Sequence, residues 1–415
     1  MTETYIVVGA SLAGARAVET LRTEGFDGRI VLVGAEEHLP YDRPPLSKEV
    51  VLGHKQPGDT LIHPAEFYSD NSIELLLGRR ATRIDTHFRR VELAGGTALH
   101  ADKVLLCTGT SPRRPDIPGL DLDGVHFLRT VEDSVAIRDR LGRGGSVVIV
   151  GGGLIGMELA AAAVAAGNDV TVLERDTGLL RRVLGARIGD RLSRWHSGRG
   201  VRVRTNAEVA RIEGDVRVRR VHTTDGFVAD ADLVVIGIGV VPAVDVVRDS
   251  GFELGNGIVV DEFCETSVPG VYAAGDVANH PDQLAGERIR LEHWQNAQNQ
   301  GIAAARTMVG RREPYREVPW FWSDQGETNI QGAGHPRSTD ELVWRGDPES
   351  MDFTVFHLRR GVLVGVVGVN RRRDVRMAMN LIDRQVRPEP ALLADPTVDI
   401  RQLGDGPATA RSPRG

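Results

Sequence analysis

The chain has 415 residues, 41% of them hydrophobic and 26% charged, with a formal net charge of −6. That length exceeds a single hydrophobic core and predicts two or three domains. The mild acidity argues against a dedicated nucleic-acid binder, and no run approaches the roughly 18 apolar residues of a membrane span. No secretory signal precedes the first strand, so a cytoplasmic, mainly α/β protein is expected, with neither nucleic acid nor membrane as partner.

Tyr5-Ile-Val-Val8 reads as a short apolar strand, followed by Gly9-Ala-Ser-Leu-Ala-Gly14 and a helix to about Glu24. Arg29-Ile-Val-Leu-Val33 is the next strand, with Glu36 and Glu37 after it. Strand, glycine turn, helix, strand and acid form a dinucleotide fingerprint. Its first glycine permits the tight turn, the second the approach of a pyrophosphate, and the third close packing of helix on strand. Ser11 stands where the second glycine is expected, so this copy is imperfect. In Leu39-Pro-Tyr-Asp-Arg-Pro-Pro-Leu-Ser-Lys48 three prolines predict an extended, non-helical path. Such a path can hold Lys48 beside a bound group; the plainer reading is a solvated lysine on a surface loop. Val104-Leu-Leu-Cys-Thr-Gly109 then breaks toward Pro112.

The second copy is complete. Strand Ser146–Val150 runs into Gly151-Gly-Gly-Leu-Ile-Gly156 and an alanine-rich helix, Met157–Ala166; strand Asp169–Leu173 ends on Glu174. The helix N-terminus offers unpaired N–H groups and a positive dipole end to phosphates. Glu158, on the first turn as read, is either functional or an exposed helix-start acid favoured by the dipole. Glu174 suits a ribose diol and repels a 2′-phosphate, favouring NADH over NADPH. Arg175 beside it, with Arg181 and Arg182 nearby, could instead receive that phosphate. Leu233-Val-Val-Ile-Gly-Ile-Gly239, leading to Pro242, repeats the Gly-then-Pro exit of the first copy. Two such units suggest two dinucleotides, the arrangement that passes a hydride from nicotinamide to flavin.

Near the C-terminus Trp320-Phe-Trp322 is either a core cluster or part of a site. Strand candidates Glu341–Arg345, Asp352–Leu358 and Val362–Val369, with a turn at Arg359–Gly361, precede a helix at about Asp374–Arg384. This predicts an antiparallel α+β unit. From Gly404 the Gly/Pro/Ala/Arg tail, 404–415, reads as disordered. The twelve histidines show no metal-binding spacing, and no metal is expected.

Leu39–Lys48, Leu105-Leu-Cys-Thr-Gly109, Leu128-Arg-Thr-Val-Glu-Asp133, Val271-Tyr-Ala-Ala-Gly-Asp276, Pro319-Trp-Phe-Trp-Ser-Asp324 and Asn370-Arg-Arg-Arg-Asp374 occur in family order with the two glycine turns. Together they resemble the oxygenase-coupled NADH–ferredoxin reductases, of the putidaredoxin reductase and rhodocoxin reductase type. The resemblance runs to about Leu403. It implies two Rossmann-like dinucleotide-binding domains of glutathione reductase type and a C-terminal α+β domain. The expected limits are 1–112 and 242–319 for a two-part FAD domain, 113–241 for the NAD domain and 320–403 for the last.

For FAD, the resemblance implies contacts from Gly9, Ser11, Ala13 and Gly14, with Ala35 and Glu36 at the ADP ribose and Ala81 at adenine. It places Lys48 and Arg129 toward the ring and phosphates, Asp276 at the ribityl chain and Trp294 at the pyrimidine end, just before a helix at Asn296–Met308, and it counts Arg43, Thr108, Gly109, Gly275 and Glu292 among the cofactor contacts. For NADH it implies Gly151, Gly153, Ile155, Gly156, Glu174 and Gly239. Lys48 and Glu158 become a catalytic pair where the hydride passes. The partner is an iron–sulfur ferredoxin, and Arg311, Arg312, Arg371, Arg372 and Arg373 are candidates to steer it. A monomer or weak homodimer is expected. The chain's two cysteines, Cys107 and Cys264, provide neither a redox pair nor a cysteine near position 40, so electrons must leave the flavin directly. The alternatives are a rubredoxin, quinone or monodehydroascorbate reductase on the same scaffold, or a redox-sensing interaction protein that holds FAD and NADH without turnover.

Overall fold

The computed structural model describes residues 2–404. The chain forms two compact units. One comprises the chain up to Thr177 and Gly200–Arg316; the other comprises Gly178–Arg199 and the chain from Glu317.

The larger unit contains two parallel five-stranded sheets. The first runs Ile73–Leu76, Arg29–Val33, Thr4–Val8, Lys103–Leu106, Val271–Ala273. The second runs Val201–Arg204, Asp169–Leu173, Ser146–Val150, Leu233–Ile236, Val125–Phe127. Strands covered on both faces need continuous apolar runs; Ile6, Val7, Val148 and Val172 are fully buried or within 1% of it. Between its third and fourth strands each copy carries a three-stranded antiparallel meander, Ala81–His100 in one and Val209–Asp230 in the other. The copies differ in their fifth strand, which follows the other four in the first sheet and precedes them in the second. The chain therefore crosses between copies twice. The crossings, Thr110–Pro112 and Val240–Pro242, pair as an antiparallel ribbon with Val241 opposite Ser111. The repeated Gly-then-Pro signal marks this double crossing, with Gly109 and Gly239 at φ +65° and +96°.

Three local readings are corrected. The second fingerprint's helix is Leu154–Ala165, with extended Gly153 as its N-cap, so Glu158 lies in the second turn. Leu-Ile-Gly reads as part of the glycine turn, but the helix begins where the last extended glycine ends. The Leu39–Lys48 segment is not extended throughout. Pro44–Ser47 is a 3-10 turn, because proline fixes the φ that a first helical position needs and its missing N–H costs nothing there. Trp294 does not precede its helix but starts it, at Trp294–Met308.

The smaller unit is a five-stranded antiparallel sheet, in the order Trp320–Gln325, Thr328–Gly334, Val362–Val369, Asp352–Arg359, Glu341–Asp347. Two of these strands escape the sequence, since Trp-Phe-Trp-Ser-Asp-Gln and Thr-Asn-Ile-Gln-Gly-Ala-Gly lack apolar alternation. Helix Arg372–Asp383 buries Val375, Ala378, Leu381 and Ile382. Helix Ala186–Ser197, which joins two strands of the second parallel sheet in sequence, belongs to this unit. Its His196 Nε2 lies 2.7 Å from Gln325 Oε1, and burial pushes the imidazole down to about 4. Gly404 closes a 3-10 turn, its carbonyl accepting from Arg384 Nη2 at 2.8 Å. The rest of the expected disordered tail, 405–415, lies outside the described residues. No described helix is long and apolar enough to cross a membrane.

Candidate dinucleotide and electron-transfer site

Gly9 and Gly151 take φ of +117° and +107°, and a Cβ on either would strike a backbone carbonyl of the neighbouring strand's exit, Cys107 or Gly237. Gly14 and Gly156 face the carbonyls of Gly9 and Gly151 with no room for a methyl group. These four glycines are therefore demanded by the protein's own packing. The middle position differs. Gly153 has φ −81°, and a Cβ there would meet nothing within 4 Å. The space over it is open. Ser11 caps its helix at φ −124° without using its side chain on the helix amides. Ala13 lies against Gly275, whose Cβ would come within 3.2 Å of the Ala13 Cβ.

Beside the first turn lies a charged cluster. Glu36 is half-buried; one oxygen accepts from Arg43 Nη2 at 2.6 Å and the other from the Tyr41 hydroxyl. Arg43 Nη1 donates to the Arg129 carbonyl at 2.5 Å, while Arg43 Nε is buried with no hydrogen-bond partner. The Arg129 guanidinium approaches Gly109, at 3.1 Å from where its Cβ would stand. Burial, then repulsion from Arg43, lowers the Arg129 pKa. Burial raises the Asp276 carboxyl, with Arg129 opposing. Two crowded guanidiniums with an unpaired N–H form a place that favours an anion. Thr108 Oγ1 donates to the Ala243 carbonyl at 2.7 Å.

Gln300, fully buried, accepts from the Gly275 amide at 2.9 Å, and its own Nε2 has no partner. Trp294 Nε1 donates to Asp42 at 2.8 Å, tying that helix start to the proline segment. Glu292 is exposed and paired with Arg290 at 2.8 Å. Ala35 is exposed just past the strand, and Ala81 packs at the edge of the core containing Val8 and Val33.

On the second copy, Glu174 accepts from the Gly152 amide at 2.6 Å and the Asp176 amide at 2.7 Å, which holds its carboxylate at the glycine turn. Arg175 is exposed, and Ile155, in the first turn of the helix, is 48% exposed. Lys48 joins the copies. Its Nζ lies 3.4 Å from Glu158 Oε1, and Ser47 Oγ donates to Glu158 Oε2 at 2.5 Å. Glu158 is 7% exposed. This excludes both plain readings, the solvated lysine and the exposed helix-start acid. Tyr41, Ser47 and Gln300 were not singled out in the sequence, although the first two lie inside the Leu39–Lys48 motif.

Both cysteines are free and buried in one apolar cluster. Burial raises both thiols, Cys264 to about 12, so neither is a ready thiolate. Among the described residues no group of three or more His, Cys, Asp or Glu is arranged to hold a metal. Much of the expected steering charge is already neutralised. Arg311 pairs with Glu24, Arg312 with Glu265 at 2.8 Å, and Arg371 with Asp352 at 2.6 Å.

Two glycine turns on parallel sheets, an anion-favouring cluster and a buried lysine–glutamate bridge define a two-nucleotide redox protein. The chain belongs to the pyridine nucleotide-disulphide oxidoreductase family, whose model matches residues 3–301; a second model, described as reductase C-terminal, matches 320–404. It is an oxidoreductase. It is 39% identical over 409 residues to a ferredoxin–NAD(P)(+) reductase from Sphingomonas sp., covering 97% of this chain and 99% of that one. It is likewise 39% identical over 399 residues to the ferredoxin–NAD(+) reductase component of an anthranilate 1,2-dioxygenase system from Burkholderia cepacia, covering 96% and 98%. Among solved structures, a covalent putidaredoxin reductase–putidaredoxin complex matches with TM-score 0.94 and 32% identity, covering 97% of this chain and 98% of that one. The resemblance read from the motifs is borne out.

Proposed function

We propose that this chain is an FAD-dependent NADH–ferredoxin reductase. It passes electrons from NADH through FAD to an iron–sulfur ferredoxin that serves a cytochrome P450 or a ring-hydroxylating oxygenase. The observation that carries this reading is the Lys48–Glu158 bridge between the two fingerprint copies, in a chain whose thiols are both buried. The ferredoxin is the acceptor named for its relatives.

The chain's residues fit both nucleotides. The open space at Gly153 admits a pyrophosphate, and the unpaired N–H groups of Arg43 and Gln300 await acceptors. FAD, when bound, supplies the conversion of a two-electron hydride into single electrons. The protein binds and orients around it. Gly9–Gly14 and its helix hold the FAD pyrophosphate. Arg43 and Arg129 offset negative charge, and Asp276 accepts from the ribityl chain. The N-terminus of Trp294–Met308 favours negative charge near the ring. Glu174 holds the NADH ribose, and its carboxylate excludes a 2′-phosphate. In this reading 1–112 and 242–319 make the FAD domain, 113–241 the NAD domain and 320–403 the C-terminal domain.

The test is cytochrome c reduction by the purified protein with NADH and a panel of [2Fe-2S] ferredoxins. Turnover that depends on a ferredoxin and saturates with it supports the reading. A flavin reduced by NADH that passes electrons to no ferredoxin, quinone or dye would favour the sensing protein instead.

A further inference from the structure

We propose that Ser47 is a positioning residue for the Lys48–Glu158 pair: its hydroxyl keeps the Glu158 carboxylate ionised and aimed at the Lys48 ammonium. The proposal rests on the reading that this pair stands where the hydride passes. Glu158 is the one charged residue of helix Leu154–Ala165, and it is buried. A carboxylate there stays ionised only if donors replace the water it has lost. Two donors come from consecutive residues, Ser47 to one oxygen at 2.5 Å and Lys48 to the other at 3.4 Å.

The two donors are not equivalent. Lys48 reaches along four rotatable carbons. Ser47 has a one-atom reach from a backbone fixed on several sides. Pro44 and Pro45 start its 3-10 turn, Leu46 N donates to the Arg43 carbonyl at 2.9 Å, and Ser134 Oγ donates to the Leu46 carbonyl at 2.6 Å. The short, rigid donor makes the tighter contact, so it sets the carboxylate's orientation and the flexible ammonium follows.

Other charges on elements packed against this helix are engaged elsewhere or face solvent. Arg202 donates to Thr171 Oγ1 at 3.2 Å, Arg204 pairs with Asp225 at 2.6 Å, and Asp169 is exposed at its strand's start. Strand Ser146–Val150 brings no charge. Removing the hydroxyl takes away a hydrogen bond that is stronger to the charged form than to the neutral one, so Glu158 would bind a proton at higher pH and loosen its hold on Lys48.

The experiment is anaerobic stopped-flow reduction of the flavin by NADH across pH, on the holoenzyme and on Ser47→Ala, Ser47→Thr and Lys48→Ala. For Ser47→Ala the acid limb of the reduction rate should move up by about one pH unit. On the acid side of that limb the limiting rate should fall by up to about tenfold, with the NADH Kd within about twofold of the parent. Infrared spectra of the oxidised protein should show a protonated carboxyl band at a pH where the parent has none. Ser47→Thr, which keeps the hydroxyl, should restore both. If Ser47→Ala does not fold, Ser47→Cys, similar in size and a weaker donor, carries the same expected direction.

An unchanged acid limb in Ser47→Ala, alongside a slowed Lys48→Ala, overturns the proposal and leaves the pair's role standing. A slowed Ser47→Ala that Ser47→Thr fails to restore makes Ser47 merely structural and also overturns it. Full-speed reduction by Lys48→Ala overturns the reading of the pair itself.

Discussion

The turns at Gly9–Gly14 and Gly151–Gly156 share their first and third glycines for the same reason and part company at the second. At the shared positions a Cβ would strike backbone, so the fold itself requires glycine. At the middle position the protein tolerates a side chain: Ser11 is present in one copy, and Gly153 faces empty space in the other. Only a ligand can demand glycine there. A fingerprint therefore contains two kinds of glycine, and a substitution at each kind should fail differently.

The largest effect should come from the packing glycines. Gly156→Ala pushes a methyl group into the Gly151 carbonyl and should cut NADH-driven flavin reduction at least about 100-fold, roughly 2.7 kcal/mol of barrier. The flavin should stay bound. Gly14→Ala should instead lose flavin, read as the ratio of flavin to protein absorbance after gel filtration. If Gly14→Ala keeps its flavin and Gly156→Ala loses it, the assignment of the two copies is reversed.

Next comes the ligand-demanded glycine. Gly153→Ser should weaken NADH binding about tenfold, near 1.4 kcal/mol, while thermal unfolding stays unchanged, because a Cβ there meets nothing within 4 Å. Ser11→Gly should alter FAD retention by less than about threefold. A drop in melting temperature for Gly153→Ser would break the distinction between the two kinds of glycine.

The smallest effect should be at the acid. Glu174→Ala should narrow the kcat/KM preference for NADH over NADPH by several-fold, of the order expected for one hydrogen-bonded charge. An unchanged ratio would remove Glu174 from the ribose and leave Arg175 as the feature that decides the nucleotide.

Local order made much of this legible in the sequence. Both glycine turns, the strands beside them and the Gly-then-Pro exits follow from short-range chemistry that survives any context. The partner of Lys48 could be named only through the resemblance, since a lysine and a glutamate 110 positions apart carry no spacing signal. Ser47 stayed hidden because a serine in a proline-rich segment has ready local explanations, and only the folded 3-10 turn aims it at Glu158. The first two strands of the C-terminal sheet were missed for a related reason. Trp320–Gln325 and Thr328–Gly334 are polar enough to read as loop, and their pairing with Val362–Val369 makes them strands. Of the arginines read as candidates to steer a ferredoxin, Arg311, Arg312 and Arg371 each have an acid in place.

The most direct test of the account is an anaerobic titration of the purified protein with NADH, and separately with NADPH, followed by the visible flavin absorbance. The expected result is a yellow protein that stoichiometric NADH bleaches fully and that NADPH bleaches more slowly and less tightly. A protein that binds no flavin, or whose flavin stays oxidised with both nucleotides, would contradict it.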